Sequence, residues 1–135
     1  MDSCWEKLYE EAKSHINVNG IPPFIEYGNN SCAILGENNR IYTGTNLKTN
    51  TSLYNSAEKT ATILMFNDGC QKIKRMVILN ELEEVILPSV ESIEYLIELT
   101  DDPKDLLILS DYDEKKYISL EELIPNWWGT FHNHK

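Results

Sequence analysis

The sequence predicts an α/β domain in which one mixed sheet of about five strands carries helices on its faces. Three observations lead there. Apolar residues recur at helical spacing in three separate stretches. Short runs rich in β-branched and aromatic residues lie between them. After an opening helix and a hairpin, strands and helices alternate, the order expected of a sheet whose strands are joined through helices.

The elements follow in order. Ser3-x-x-Glu6 reads as a capping box for an amphipathic helix with Trp5, Leu8, Tyr9, Ala12 and Ile16 on one face. Asn19-Gly20 and Pro22-Pro23 stop it, and Tyr27-Gly28-Asn29-Asn30 reads as a loop. Cys32-Ala33-Ile34-Leu35 is a buried strand. The turn Gly36-Glu37-Asn38-Asn39 joins it to Arg40-Ile41-Tyr42-Thr43-Gly44 as a hairpin. A polar loop spans 45–55. Ala57, Thr60, Ala61, Leu64 and Met65 mark a second helix over 56–67, closed near Asp68-Gly69. Arg75-Met76-Val77-Ile78-Leu79 is a strand, followed by an acidic loop with Glu81, Glu83 and Glu84, and by Val85-Ile86-Leu87 before Pro88. Ser89 caps a third helix bearing Val90, Ile93, Leu96 and Ile97, which ends by Asp101-Asp102-Pro103. A strand over 105–110 and the turn Asp111-Tyr112-Asp113-Glu114 come next. Ser119-x-x-Glu122 is a second capping box, opening a short helix before Pro125.

With 135 residues the chain makes one domain, residues 1–135, with 130–135 as a flexible tail. Apolar residues at 41% and charged ones at 25% place it among globular proteins. Its 22 acidic residues outnumber 12 basic ones, and a formal charge of −10 repels phosphate backbones and anionic lipid. Nucleic acid is therefore not an expected partner. Nor is a membrane: apolar runs such as 106–109 fall far short of the roughly 20 residues a spanning helix needs. The acidic start Met1-Asp2-Ser3-Cys4-Trp5-Glu6 lacks the pattern of a secretory signal, so a cytoplasmic location is expected. Cys4, Cys32 and Cys70 form no disulfide framework and no Cys-x-x-Cys pair, and read as free thiols.

Arg40-Ile41-Tyr42-Thr43-Gly44-Thr45-Asn46, Ala57-Glu58-Lys59-x-Ala61, Pro88-Ser89-Val90-Glu91-Ser92 and Leu120-Glu121-Glu122-Leu123-Ile124-Pro125 stand in an informative order and spacing. Together they resemble the cytidine deaminase superfamily, and within it the small nucleoside and blasticidin-S deaminases. The resemblance covers roughly residues 5–128 and implies the three-layer α/β/α deaminase-like fold. In that family a zinc ion held by one Cys or His and two Cys activates a water, and a glutamate that is not a ligand moves protons. Carried over by the resemblance, the ligand positions are Ser56, Ser89 and Ser92 and the proton shuttle is Glu58. Asn46 stands where the family's ribose-binding asparagine lies, and Trp128, with Trp127, where C-terminal aromatics lie near the pocket. The ribose-contacting glutamate two residues beyond Asn46 is here Lys48. Tyr27-Gly28-Asn29-Asn30-Ser31 is closer to the polar segment of the blasticidin-S enzymes.

Zinc takes thiolate, imidazole or carboxylate, whereas an alcohol offers neither charge nor a polarizable donor. The expected cofactor is therefore none, and the expected function is that of a zinc-free, catalytically inactive deaminase-like protein. Its ligand would be nucleoside-like or another small polar molecule, bound by Asn46, Ser56, Ser89, Ser92 and Trp128, with Glu58 as a vestigial shuttle. Each residue also has a structural reading. Glu58 would complete a box from Asn55, the serines would cap helices, Asn46 would be a turn residue, and the tryptophans would be core or oligomer contacts. His132 and His134 offer adventitious metal binding only. A homodimer or homotetramer follows by family analogy. Two other readings stay open: an active aminohydrolase with an unrecognised metal site, and a non-enzymatic interaction or regulatory protein.

Overall fold

A computed structural model of the protein describes residues 2–16, 19–21, 25–49 and 54–124. In chain order these form α1 (Asp2–Lys13), β1 (Asn19–Ile21), β2 (Ile25–Gly36), β3 (Ile41–Lys48), β4 (Tyr54–Asn55) and α2 (Ala57–Asn67). Then come β5 (Ile73–Leu79), β6 (Val85–Ile86), α3 (Val90–Leu99), β7 (Leu107–Asp111), β8 (Lys116–Ser119) and a 3-10 helix, Leu120–Leu123. The strands make one sheet in the order β4-β3-β2-β5-β7-β8, with β1 beside β2 and β6 beside β5. β5 and β7 run parallel, and the chain between them holds α3, the long connection that parallel neighbours require. The other pairings are antiparallel, so the sheet is mixed.

Successive strand residues point to opposite faces, and here that alternation separates two cores. Cys32, Ile34, Met76, Ile78 and Ile108 face one side, packed with Ala57, Ala61 and Met65 of α2 and Leu96 of α3. Ala33, Val77, Leu79 and Leu109 face the other, covered by Trp5, Leu8 and Ala12 of α1. The result is the expected α/β/α sandwich, one helix on one face and two on the other.

Several elements differ from the sequence expectation. Among the described residues the sheet has eight strands rather than about five. β1, β4 and β6 have three, two and two residues, too few to show a period, and they exist through pairing with distant chain. β8 follows a turn and abuts the capping box of Ser119, whose amide donates to Glu122 Oε2 at 2.8 Å. Tyr27–Asn30 is strand, not loop: β2 begins at Ile25 and takes up its glycine and asparagines through a bulge between Tyr27 and Ser31, with Gly28 at φ 89°. β3 likewise runs on to Lys48. α1 spans Asp2–Lys13, and the side chain of Ser3, expected as its cap, lies outside what is described. Val90 of α3 is 74% exposed and does not join the buried face of Leu96.

One close approach sets α2 against the sheet. A Cβ added to Gly44 of β3 would lie 2.5 Å from the Ala61 backbone nitrogen and 2.8 Å from Thr60 Cβ. Only a residue without a side chain lets the first half of α2, and with it Glu58, sit this close to β3.

Candidate functional site

α2 and α3 present their N-termini to the same pocket, a cavity of about 610 Å³, which is within the range of small-molecule sites. Each helix starts with a serine in extended conformation. Ser56, φ −71° and ψ 158°, accepts the Lys59 amide on its Oγ at 3.1 Å. Ser89, φ −70° and ψ 167°, accepts the Ser92 amide at 3.3 Å, and its hydroxyl donates to Ser92 Oγ, also at 3.3 Å. These are ordinary N-caps, satisfying amides that the first helical turn leaves open.

Glu58 stands in the first turn of α2, lines the pocket and is only 5% exposed. The cap is Ser56, one residue after Asn55, which ends β4; the expected box from Asn55 to Glu58 is therefore not formed. No hydrogen bond or ion pair to the Glu58 carboxylate is found among the described residues, and its place in the first turn of α2 suits a negative charge. Its charge acts on two neighbours. Burial foremost, then Glu58, pushes the Cys32 thiol well above its ordinary value, which keeps this buried cysteine protonated. Burial and then Glu58 also raise Tyr54, with a hydrogen bond from Asn46 pulling the other way.

Ser56, Glu58, Ser89 and Ser92 thus meet at one pocket, and Asn46 is set to one side. Asn46 belongs to β3 rather than to a turn and is 4% exposed, its Oδ1 accepting the Asn30 amide of β2 at 2.8 Å. It lines an adjoining groove with Tyr27, Thr45 and Leu47, while Asn30 reaches the main pocket. Lys48 pairs with Glu26 at 3.3 Å. Trp128, Trp127, His132 and His134 lie outside the described residues. The sequence reading did not propose Asn30, Tyr54, Lys59, Glu91, Glu94 or Tyr95 as site residues, and all of them line the pocket. A signal for part of this set existed: Glu91, Glu94 and Glu98 fall at helical spacing on the face that continues from Ser89.

The zinc ion associated with this fold does not fit these side chains. Ser56 Oγ and Ser89 Oγ are neutral acceptors already engaged by helix amides, and the Cys32 thiol, buried in the core, is held protonated. Among the described residues no group of three His, Cys, Asp or Glu side chains could hold a metal ion.

An α/β/α sandwich with a polar pocket where two helices begin is the class that fold and site define. No family model matches the sequence, and no curated protein matches it significantly. Solved structures do. The cytidine deaminase of Mycobacterium tuberculosis superposes with a TM-score of 0.74 at 20% identity, over 90% of this chain and 94% of that one. That of Mycobacterium leprae gives 0.73 at 18%, over 90% and 98%, and that of Bacillus anthracis 0.71 at 20%, over 96% and 93%. The chain has the cytidine-deaminase fold along nearly its whole length. No helix among the described residues is long and apolar enough to cross a membrane.

Proposed function

We propose that this chain is a zinc-free, catalytically inactive protein of the deaminase fold that binds a small, polar, nucleoside-like ligand. The observation that carries the reading is that three serines, Ser56, Ser89 and Ser92, and one buried carboxylate, Glu58, line the same open pocket. Without a metal, water keeps a pKa near 15.7 in place of about 7, and hydroxide at neutral pH is scarcer by many orders of magnitude. General-base help from Glu58, worth about 10²–10⁴-fold, does not restore that loss. What the residues retain is recognition: Glu58 as acceptor on the pocket floor, the Ser92 hydroxyl and the Asn30 segment beside it, and Tyr95, fixed by a 2.6 Å hydrogen bond to Thr62 Oγ1, as a wall.

The open cleft favours ligand binding over a role exercised by surface alone. Assembly into a homodimer or homotetramer in the cytoplasm is part of the same proposal, and the exposed Ile63, Leu64 and Phe66 of α2 offer apolar surface for it. The test is an ammonia-release assay with cytidine, deoxycytidine and blasticidin S beside a cytidine titration followed by backbone amide shifts. The reading expects no ammonia and shifts around Ser56 and Ser89. Sustained ammonia release that is lost in Glu58→Gln would overturn it in favour of an active aminohydrolase.

A further inference from the structure

We infer that the ligand of this pocket is a small organic cation, an ammonium or guanidinium group on an otherwise neutral body. The inference rests on the reading of the pocket as a binding site and adds the charge class of what enters it. Four carboxylates line the cavity: buried Glu58 of α2, and Glu91, Glu94 and Glu98 from the exposed side of α3. Neither Glu91 nor Glu94 forms an ion pair among the described residues. The cation facing them is Lys59, whose ammonium lies 5.4 Å from the centre of the Tyr95 ring.

Glu58 makes the cluster more than a solvated helix face. It is buried, directed at the cavity and without a hydrogen-bond or ion-pair partner among the described residues. Glu58 meets the cavity with no partner from the chain, and a cationic donor entering the cavity supplies one as a charge-assisted hydrogen bond. The neighbouring hydroxyls compete little, since Ser56 and Ser89 each already accept a helix amide.

A metal ion is the wrong occupant, because no three ligating side chains among the described residues converge on one point. The carboxylates instead stand around a cavity of about 610 Å³, an arrangement that suits a charge delivered on a larger body. A phosphorylated ligand would meet the same carboxylates as repulsion. The formal charge of −10 on the chain adds to the attraction for cations, which a concave, low-dielectric wall concentrates.

The test is titration of the full chain with 5′-amino-5′-deoxycytidine, cytidine and cytidine 5′-monophosphate, and with agmatine as a cation that is not a nucleoside. Binding is read by backbone amide shifts, at low and at physiological salt. The inference expects at least one cation to shift residues around Ser56, Ser89 and Glu94 and to bind about tenfold or more tightly than cytidine. Binding should weaken with salt, and the doubly substituted Glu91→Gln, Glu94→Gln protein, changed only at exposed positions, should lose most of the preference. Equal or tighter binding of cytidine or its monophosphate would overturn the inference and leave the binding pocket standing. Failure of every probe at millimolar concentration would overturn both.

Discussion

Ser56 and Ser89 carry two meanings that one substitution separates. As helix caps they contribute stability, and Ser56→Ala should lower it by about 1 kcal/mol, read as an earlier midpoint in urea, while Ser56→Gly should cost only a few tenths. In the proposed reading they stand at the positions of the family's zinc ligands, and as neutral hydroxyls they deny the metal. Ser89 Oγ and Ser92 Oγ lie 3.3 Å apart, near the roughly 3.8 Å between two thiolates on one tetrahedral zinc. The triple variant Ser56→Cys, Ser89→Cys, Ser92→Cys should therefore take up one zinc per chain, measured by cobalt substitution and its thiolate charge-transfer absorption. Failure to bind would mean that more than the donor atoms has changed. These serines were reached through the family resemblance, by their places beside Glu58 and Pro88. Asn46 was legible only as a type of residue. Its bond to the Asn30 amide depends on a bulge in β2 that no local pattern announces.

At the scale of elements, the long strands and all three helices could be read from periodicity, because Cys32–Leu35, Arg75–Leu79 and α2 each hold enough buried residues to reveal one. The short strands could not, since their only support is the neighbour they pair with. Gly44 illustrates the same limit: its glycine looks like a turn signal, yet its office is to let β3 meet the backbone of α2. Gly44→Ala should cost about 2 kcal/mol or more, because Ala61 and Thr60 are met at backbone and Cβ, where little can yield. On the opposite face Trp5, 1% exposed and under the Arg75 guanidinium at 5.0 Å, anchors α1, and Trp5→Ala should cost about 3–5 kcal/mol. The end of α2 is tied to the β2–β3 hairpin through Asp68. Its carboxyl is held below its usual value by hydrogen bonds from Tyr42 and Arg40. A carboxylate depressed in the folded state stabilises above its unfolded pKa and loses that contribution as pH falls through the folded one. The stability advantage over Asp68→Asn should therefore shrink as the pH falls through and below the ordinary carboxylate range, as followed by thermal unfolding.

For the whole molecule, a sheet separating two cores builds a rigid frame, and the helix starts on one face form its pocket. That frame is shared with cytidine deaminases at 18–20% identity, and the frame alone does not decide the chemistry. The decision rests on the donor atoms in the pocket. Metal content of the purified chain, measured by elemental analysis after growth in zinc-supplemented medium, tests this most directly. Zinc far below one per chain is the predicted result; one zinc per chain, retained through dialysis and lost on changing Ser56, Ser89 or Ser92, would contradict it.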